Sequence, residues 1–61
     1  MFRKLKGILT MNGMTQQDLA NLLDLSASTL SFKINGKTEF TLNEAKKISK
    51  YFNMTIEDIF E

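Results

Sequence analysis

An all-α fold, five short helices around one core, is what these 61 residues predict. Three observations lead there. Serine or threonine stands where a helix cap would stand before four stretches, and three of those caps have an acid three residues later. Apolar residues recur at spacings of three and four. No segment alternates apolar and polar side chains as a half-buried strand would.

The first helix spans about residues 2–12, with Leu5, Ile8 and Leu9 as its stripe. Gly13 follows it, suited to a C-terminal stop at positive φ. Thr15 then caps QQDLANLL, with Asp18 completing the box, and Leu19, Ala20 and Leu23 face inward over about 16–23. Ser26 caps ASTLSFKIN, a helix over about 26–35 that Gly36 ends. Thr41 and Glu44 open a fourth helix, about 42–52, whose stripe is Leu42, Ala45, Ile48 and Phe52. Thr55 and Asp58 open a fifth, about 56–60, offering Ile56, Ile59 and Phe60. The caps satisfy orphan N–H groups and the first-turn acids favour the helix dipole.

Composition narrows the function. A chain this short makes one domain, residues 1–61, near the lower limit for an unaided core. It has no cysteine and no histidine, which removes disulfides, thiolate metal sites, the commonest metal ligand and the commonest neutral-pH base. Three scattered glycines form no phosphate loop. An enzyme is therefore not expected, nor a cofactor or small-molecule ligand. Met11, Met14 and Met54 read as core or interface fillers. No apolar run reaches the ~20 residues of a membrane span, and no signal-peptide core is present, so a cytoplasmic location is expected. The net charge of +1 is small, but its distribution is uneven. Residues 1–17 and 25–38 hold no acid, whereas 55–61 hold no base. The acid-free region can face an anion. Arg3, Lys4 and Lys6, and Lys46, Lys47 and Lys50, read more simply as solvated helix surface.

Only Asp24 and Leu25 separate the second helix from the Ser26 cap. So short a connection makes the two helices cross steeply. Ala20 falls at their close approach, Leu19, Leu23, Leu25 and Leu30 fill the angle, and Asp24 is expected at positive φ. With Leu30 and Ile34 inward, Ser28, Ser31, Phe32 and Asn35 project outward. A helix displayed in this way has the width to enter a DNA major groove, its N-terminal end deepest, so that even Ala27 reaches the groove.

MTQQDLANLLDLSASTLS, followed by NGK at 35–37 and later MTIEDIF, resembles the phage-repressor helix-turn-helix family of the Xre/Cro type over about residues 5–60. The resemblance implies a lambda-repressor-like domain. It also implies sequence-specific binding of double-stranded DNA, as a dimer on a two-fold site, and transcriptional regulation of the repressor kind. By residue, it implies that Gln16 grips a backbone phosphate. Ala27, Ser28 and Phe32, with Ser31 beside them, would face base edges. Asn35 and Lys37 would clamp the following phosphates. Lys33, in the acid-free stretch 25–38, is a further candidate phosphate contact on its charge.

Three departures from the family pattern carry expectations. Asp24 replaces a frequent glycine at mild cost. Alanine and phenylalanine can meet thymine methyl groups but cannot make bidentate bonds to guanine or adenine, which predicts modest specificity biased to thymine. Leu9 and Ile34 stand where many relatives pair arginine with glutamate, so an apolar contact is expected in place of the ion pair. The chain ends just after the fifth helix, which predicts no effector domain and places the dimer contact on Ile56, Ile59, Phe60 and Phe52. The alternative function is a small helical protein-interaction module, of antirepressor or antitoxin kind, that has kept the fold. Phe32 would then pack against a protein partner.

Overall fold

The caps act as their sequence positions dictate. A computed structural model describes residues 2–60, and among these it contains five helices and no strand: α1 Arg3–Met11, α2 Gln16–Leu23, α3 Ala27–Ile34, α4 Leu42–Phe52 and α5 Ile56–Phe60. Full capping boxes start α2 (Thr15 with Asp18) and α4 (Thr41 with Glu44). Ser26 Oγ accepts from the Thr29 N–H at 3.2 Å and Thr55 Oγ1 from the Asp58 N–H at 3.1 Å. The first helix has no side-chain cap. Its N-cap residue, Phe2, instead donates its N–H to the Ile34 carbonyl at 3.0 Å, tying the start of α1 to the end of α3. No helix among the described residues is long and apolar enough to cross a membrane.

The core is built from Leu5 and Leu9 of α1, Leu19, Ala20 and Leu23 of α2, Leu30 and Ile34 of α3, Ile48 of α4 and Ile59 of α5. Leu9 and Ile34 are both buried in it, which is the apolar arrangement expected of that pair. Gly13 and Gly36 turn the chain at φ 66° and 82°, and Asp24 takes the left-handed conformation at φ 60°. Asn53 does the same at φ 55°, ending α4. The Ser49 hydroxyl then donates to the Met54 carbonyl and sets the corner into α5.

Two core expectations need correction. Leu42 is 64% exposed although it shares the spacing of Ala45, Ile48 and Phe52. It is the first residue of α4, and helical side chains lean towards the N-terminus, so Leu42 overhangs the edge of the body. Met11, in the last turn of α1, is likewise exposed and is no core filler.

In place of Leu42, Phe40 closes that end. Its ring lies 5.5 Å from Phe2 and 5.2 Å from Phe60, and Phe2 lies 5.3 Å from Phe60. This aromatic trio joins the start of α1, the α3–α4 loop and α5, and each pair adds roughly 0.5–1.5 kcal/mol beyond burial.

Urea unfolding separates the two α4 positions. Leu42→Lys is expected to change stability by no more than about 0.5 kcal/mol. Ile48→Ala is expected to cost about 2–5 kcal/mol.

Candidate nucleic-acid interface

The surface of α3 is fixed by the corner before it. Asp24 in the left-handed region reverses the chain, and the Leu25 N–H donates back to the Ala20 carbonyl at 2.8 Å. Ala20 is fully buried, and its methyl is what lets two backbones come together there. The eight-residue α3 then buries Leu30, Lys33 and Ile34 and leaves Ala27, Ser28 and Phe32 exposed. Phe32 is 49% exposed, so a ring of an apolar residue stands in solvent on the outward side of a helix whose other side is fully covered. Ser31 is half-buried at the edge of this face.

The C-terminal end of α3 is folded back on itself. Asn35 Nδ2 donates to the Ser31 carbonyl at 2.9 Å, so the Asn35 amide serves its own helix end. The Lys37 N–H donates to the Phe32 carbonyl at 2.8 Å. Its ammonium lies 5.5 Å from the centre of the Phe32 ring, a cation–π distance. Among the described residues Lys37 forms no ion pair, and its charge is held beside the exposed ring.

Gln16 is exposed in the first turn of α2, where backbone N–H groups and the dipole favour an anion. It shares a surface hollow with Lys6 of α1, together with Leu9, Thr10 and Met14. The sequence alone makes Lys6 plain helix surface. Only the folded arrangement of α1 against α2 brings Lys6 and Gln16 to the same hollow. Lys46, Lys47 and Lys50 are exposed on α4, as a solvated face requires.

Several side chains lie elsewhere than the sequence predicts. Lys33 is not a phosphate ligand on the surface: it is 8% exposed, and its Nζ donates to the Glu39 carbonyl at 3.0 Å and to Glu44 Oε1 at 2.9 Å. Phe40 lies 6.0 Å beneath the same ammonium. Three residues beyond Leu30, Lys33 falls on the inward side of α3, and burial there requires a partner for the charge. Glu44 supplies it. The same oxygen of Glu44 also accepts the Thr41 N–H at 2.9 Å, so one carboxylate caps α4 and neutralises Lys33. Ile59, expected at a dimer contact, is completely buried in its own chain. Phe60 is half-buried in the aromatic trio, and Phe52 is half-buried against the core. Ile56 is the α5 residue of that set that remains exposed, at 37%.

The Cro/C1-type HTH DNA-binding domain family matches residues 4–61. The chain belongs to that family. An uncharacterized HTH-type transcriptional regulator of Methanocaldococcus jannaschii is 42% identical over 60 residues, covering 98% of this chain and 91% of its own length. Another uncharacterized HTH-type transcriptional regulator, from Archaeoglobus fulgidus, is 42% identical over 48 residues, covering 79% of this chain and 69% of its own. No solved structure matches significantly. In this Cro/C1-type domain α2 and α3 are the helix-turn-helix, and its all-helical architecture is the one found.

Burial pushes the Glu44 carboxyl up, but the Thr41 N–H, the bond and charge of Lys33 and the Thr41 hydroxyl outweigh it and hold the group below its ordinary 4.5. A carboxyl lowered in the folded state adds stability above its unfolded value and loses it as pH falls through the folded one. The Glu44 contribution is thus expected to be complete at neutral pH and to fade on acidification below about pH 4.5. Chemical denaturation of Glu44→Gln across pH 2–7 checks this, because part of the acid-side slope should disappear.

Proposed function

We propose that this chain is a sequence-specific transcriptional regulator that lays α3 in the major groove of its operator. In this reading Ala27, Ser28 and Phe32 meet base edges, with Ser31 at the margin. Gln16, Lys6 and Lys37 hold phosphates on either side, and the backbone around Asn35 approaches the next one. The observation that carries the reading is the exposed Phe32 ring beside two small side chains, on a helix anchored by everything behind it. Such a face suits thymine methyl groups better than the guanine edge.

Repression of the phage or prophage kind is the mode assigned, because occupancy of a site by one small domain is enough to exclude another protein from it. A DNA-bound regulator of this kind works in the cytoplasm. A two-fold dimer would set two α3 helices about 34 Å apart, one turn of DNA. In this reading Ile56, exposed on α5, would contribute to that contact. An Ile56→Glu variant that sediments and binds as the parent does would remove α5 from it.

One observation supports a second reading, a protein-interaction module: Phe32 is hydrophobic enough to anchor a protein partner. Salt separates the two. A domain touching several phosphates loses affinity steeply between 50 and 200 mM salt, whereas an apolar contact does not. Selection from random duplexes is expected to recover a thymine-containing palindrome. Phe32→Ala and Ser28→Ala are expected to relax the bases they touch, each by less than the ~1–3 kcal/mol of a bidentate pair. Recovery of no motif, with salt-insensitive binding to a protein, would support the module instead.

A further inference from the structure

The α3–α4 loop, residues 35–41, carries Lys37, yet it contains no regular structure of its own. It is closed from both sides. On the α3 side the Lys37 and Thr38 N–H groups both point to the Phe32 carbonyl, at 2.8 and 3.4 Å. On the α4 side the Thr41 N–H is held by Glu44. Lys33 bridges the two. Its ammonium takes the Glu39 carbonyl from within the loop and the Glu44 carboxylate from α4, and the Phe40 ring packs against it. A hydrophobic residue at position 33 could fill the same space but could not hold the Glu39 carbonyl.

We infer that Lys33 is a positioning residue for DNA binding. It fixes the loop on α3 so that Lys37 is presented at a set distance from Phe32, and it touches no phosphate itself. This rests on the proposed DNA-binding face. The recognition ring and the phosphate-directed charge are then one unit, and the bridge from Lys33 to Glu39 and Glu44 sets their spacing. Buried ion pairs often add little net stability against apolar replacements, so the tether to Glu39, more than stability, is what the lysine supplies here.

The test uses the double variant Lys33→Met/Glu44→Gln. Both charges are removed, and glutamine keeps the Thr41 cap. Circular dichroism and urea unfolding establish its fold. Binding to a 20-base-pair duplex carrying the sequence recovered by selection is measured by anisotropy from 50 to 200 mM KCl, with and without Lys37→Ala. In the parent, Lys37→Ala is expected to weaken binding about tenfold and to lower the salt slope by about one. In the double variant the same substitution should change little, because Lys37 is no longer presented; the two effects are non-additive. Amide exchange at Lys37 and Thr38 should quicken at least tenfold while Leu19 and Ile48 stay protected.

An equal cost of Lys37→Ala in both backgrounds overturns the inference and leaves the DNA-binding reading intact. A parent that does not bind the duplex overturns that reading, and with it this role. If the double variant does not fold, Lys33→Gln alone decides: loss of the Lys37→Ala effect in that background supports the tether, and an unchanged effect overturns it.

Discussion

What α3 buries decides what it can touch. An eight-residue helix has no standing of its own in water, since nucleation alone defeats so short a segment. It exists because Leu30 and Ile34 are fully buried, each worth about 2–3 kcal/mol of removed apolar surface. The left-handed Asp24 and the methyl-sized Ala20 fix the angle at which it meets α2. Once those contacts are made, the opposite side is forced outward, and Ser28 and Phe32 are on it. The exposed ring is thus a consequence of the core, placed by residues that never meet a ligand.

The polar part of that anchoring is Lys33. Position 33 lies on the inward side of α3, where an aliphatic side chain would be the simplest solution. The lysine instead needs Glu44, the Glu39 carbonyl and the Phe40 ring around its ammonium. Glu44 is at the same time the N3 residue of the α4 capping box. One carboxylate therefore couples the start of α4, the end of α3 and the loop between them. Beside it, the Phe2–Phe40–Phe60 trio and the Phe2 N–H bond to Ile34 close the same end of the body through α1 and α5. Elsewhere the chain takes the apolar solution: Leu9 and Ile34 sit in the core without any charge to satisfy.

The local part of this arrangement is legible in the sequence and the long-range part is not. Caps, glycine stops and the Asp24 turn depend on a few consecutive residues, and a fixed spacing places Leu30 and Ile34 inward and Phe32 outward. The same spacing also places Lys33 inward, and that signal was available. Its charge masked it, because the partner that makes burial possible is eleven residues away on another helix. Ile59 and Phe60 misled for a related reason. A five-residue helix looks too apolar to cover itself until Phe2 and Phe40, from distant parts of the chain, are found beside it. Leu42 misled because periodicity does not reveal where the body ends, and Lys6 because no local pattern says which helix surface meets Gln16.

The most direct measurement is an amide chemical-shift titration of the labelled protein with a short duplex at low salt. The largest changes are expected on residues 27–32, with further changes at Gln16 and Lys37, while Tyr51 and Glu57 stay still. Changes concentrated on α4 or α5, with Ser28 and Phe32 unmoved, would contradict it.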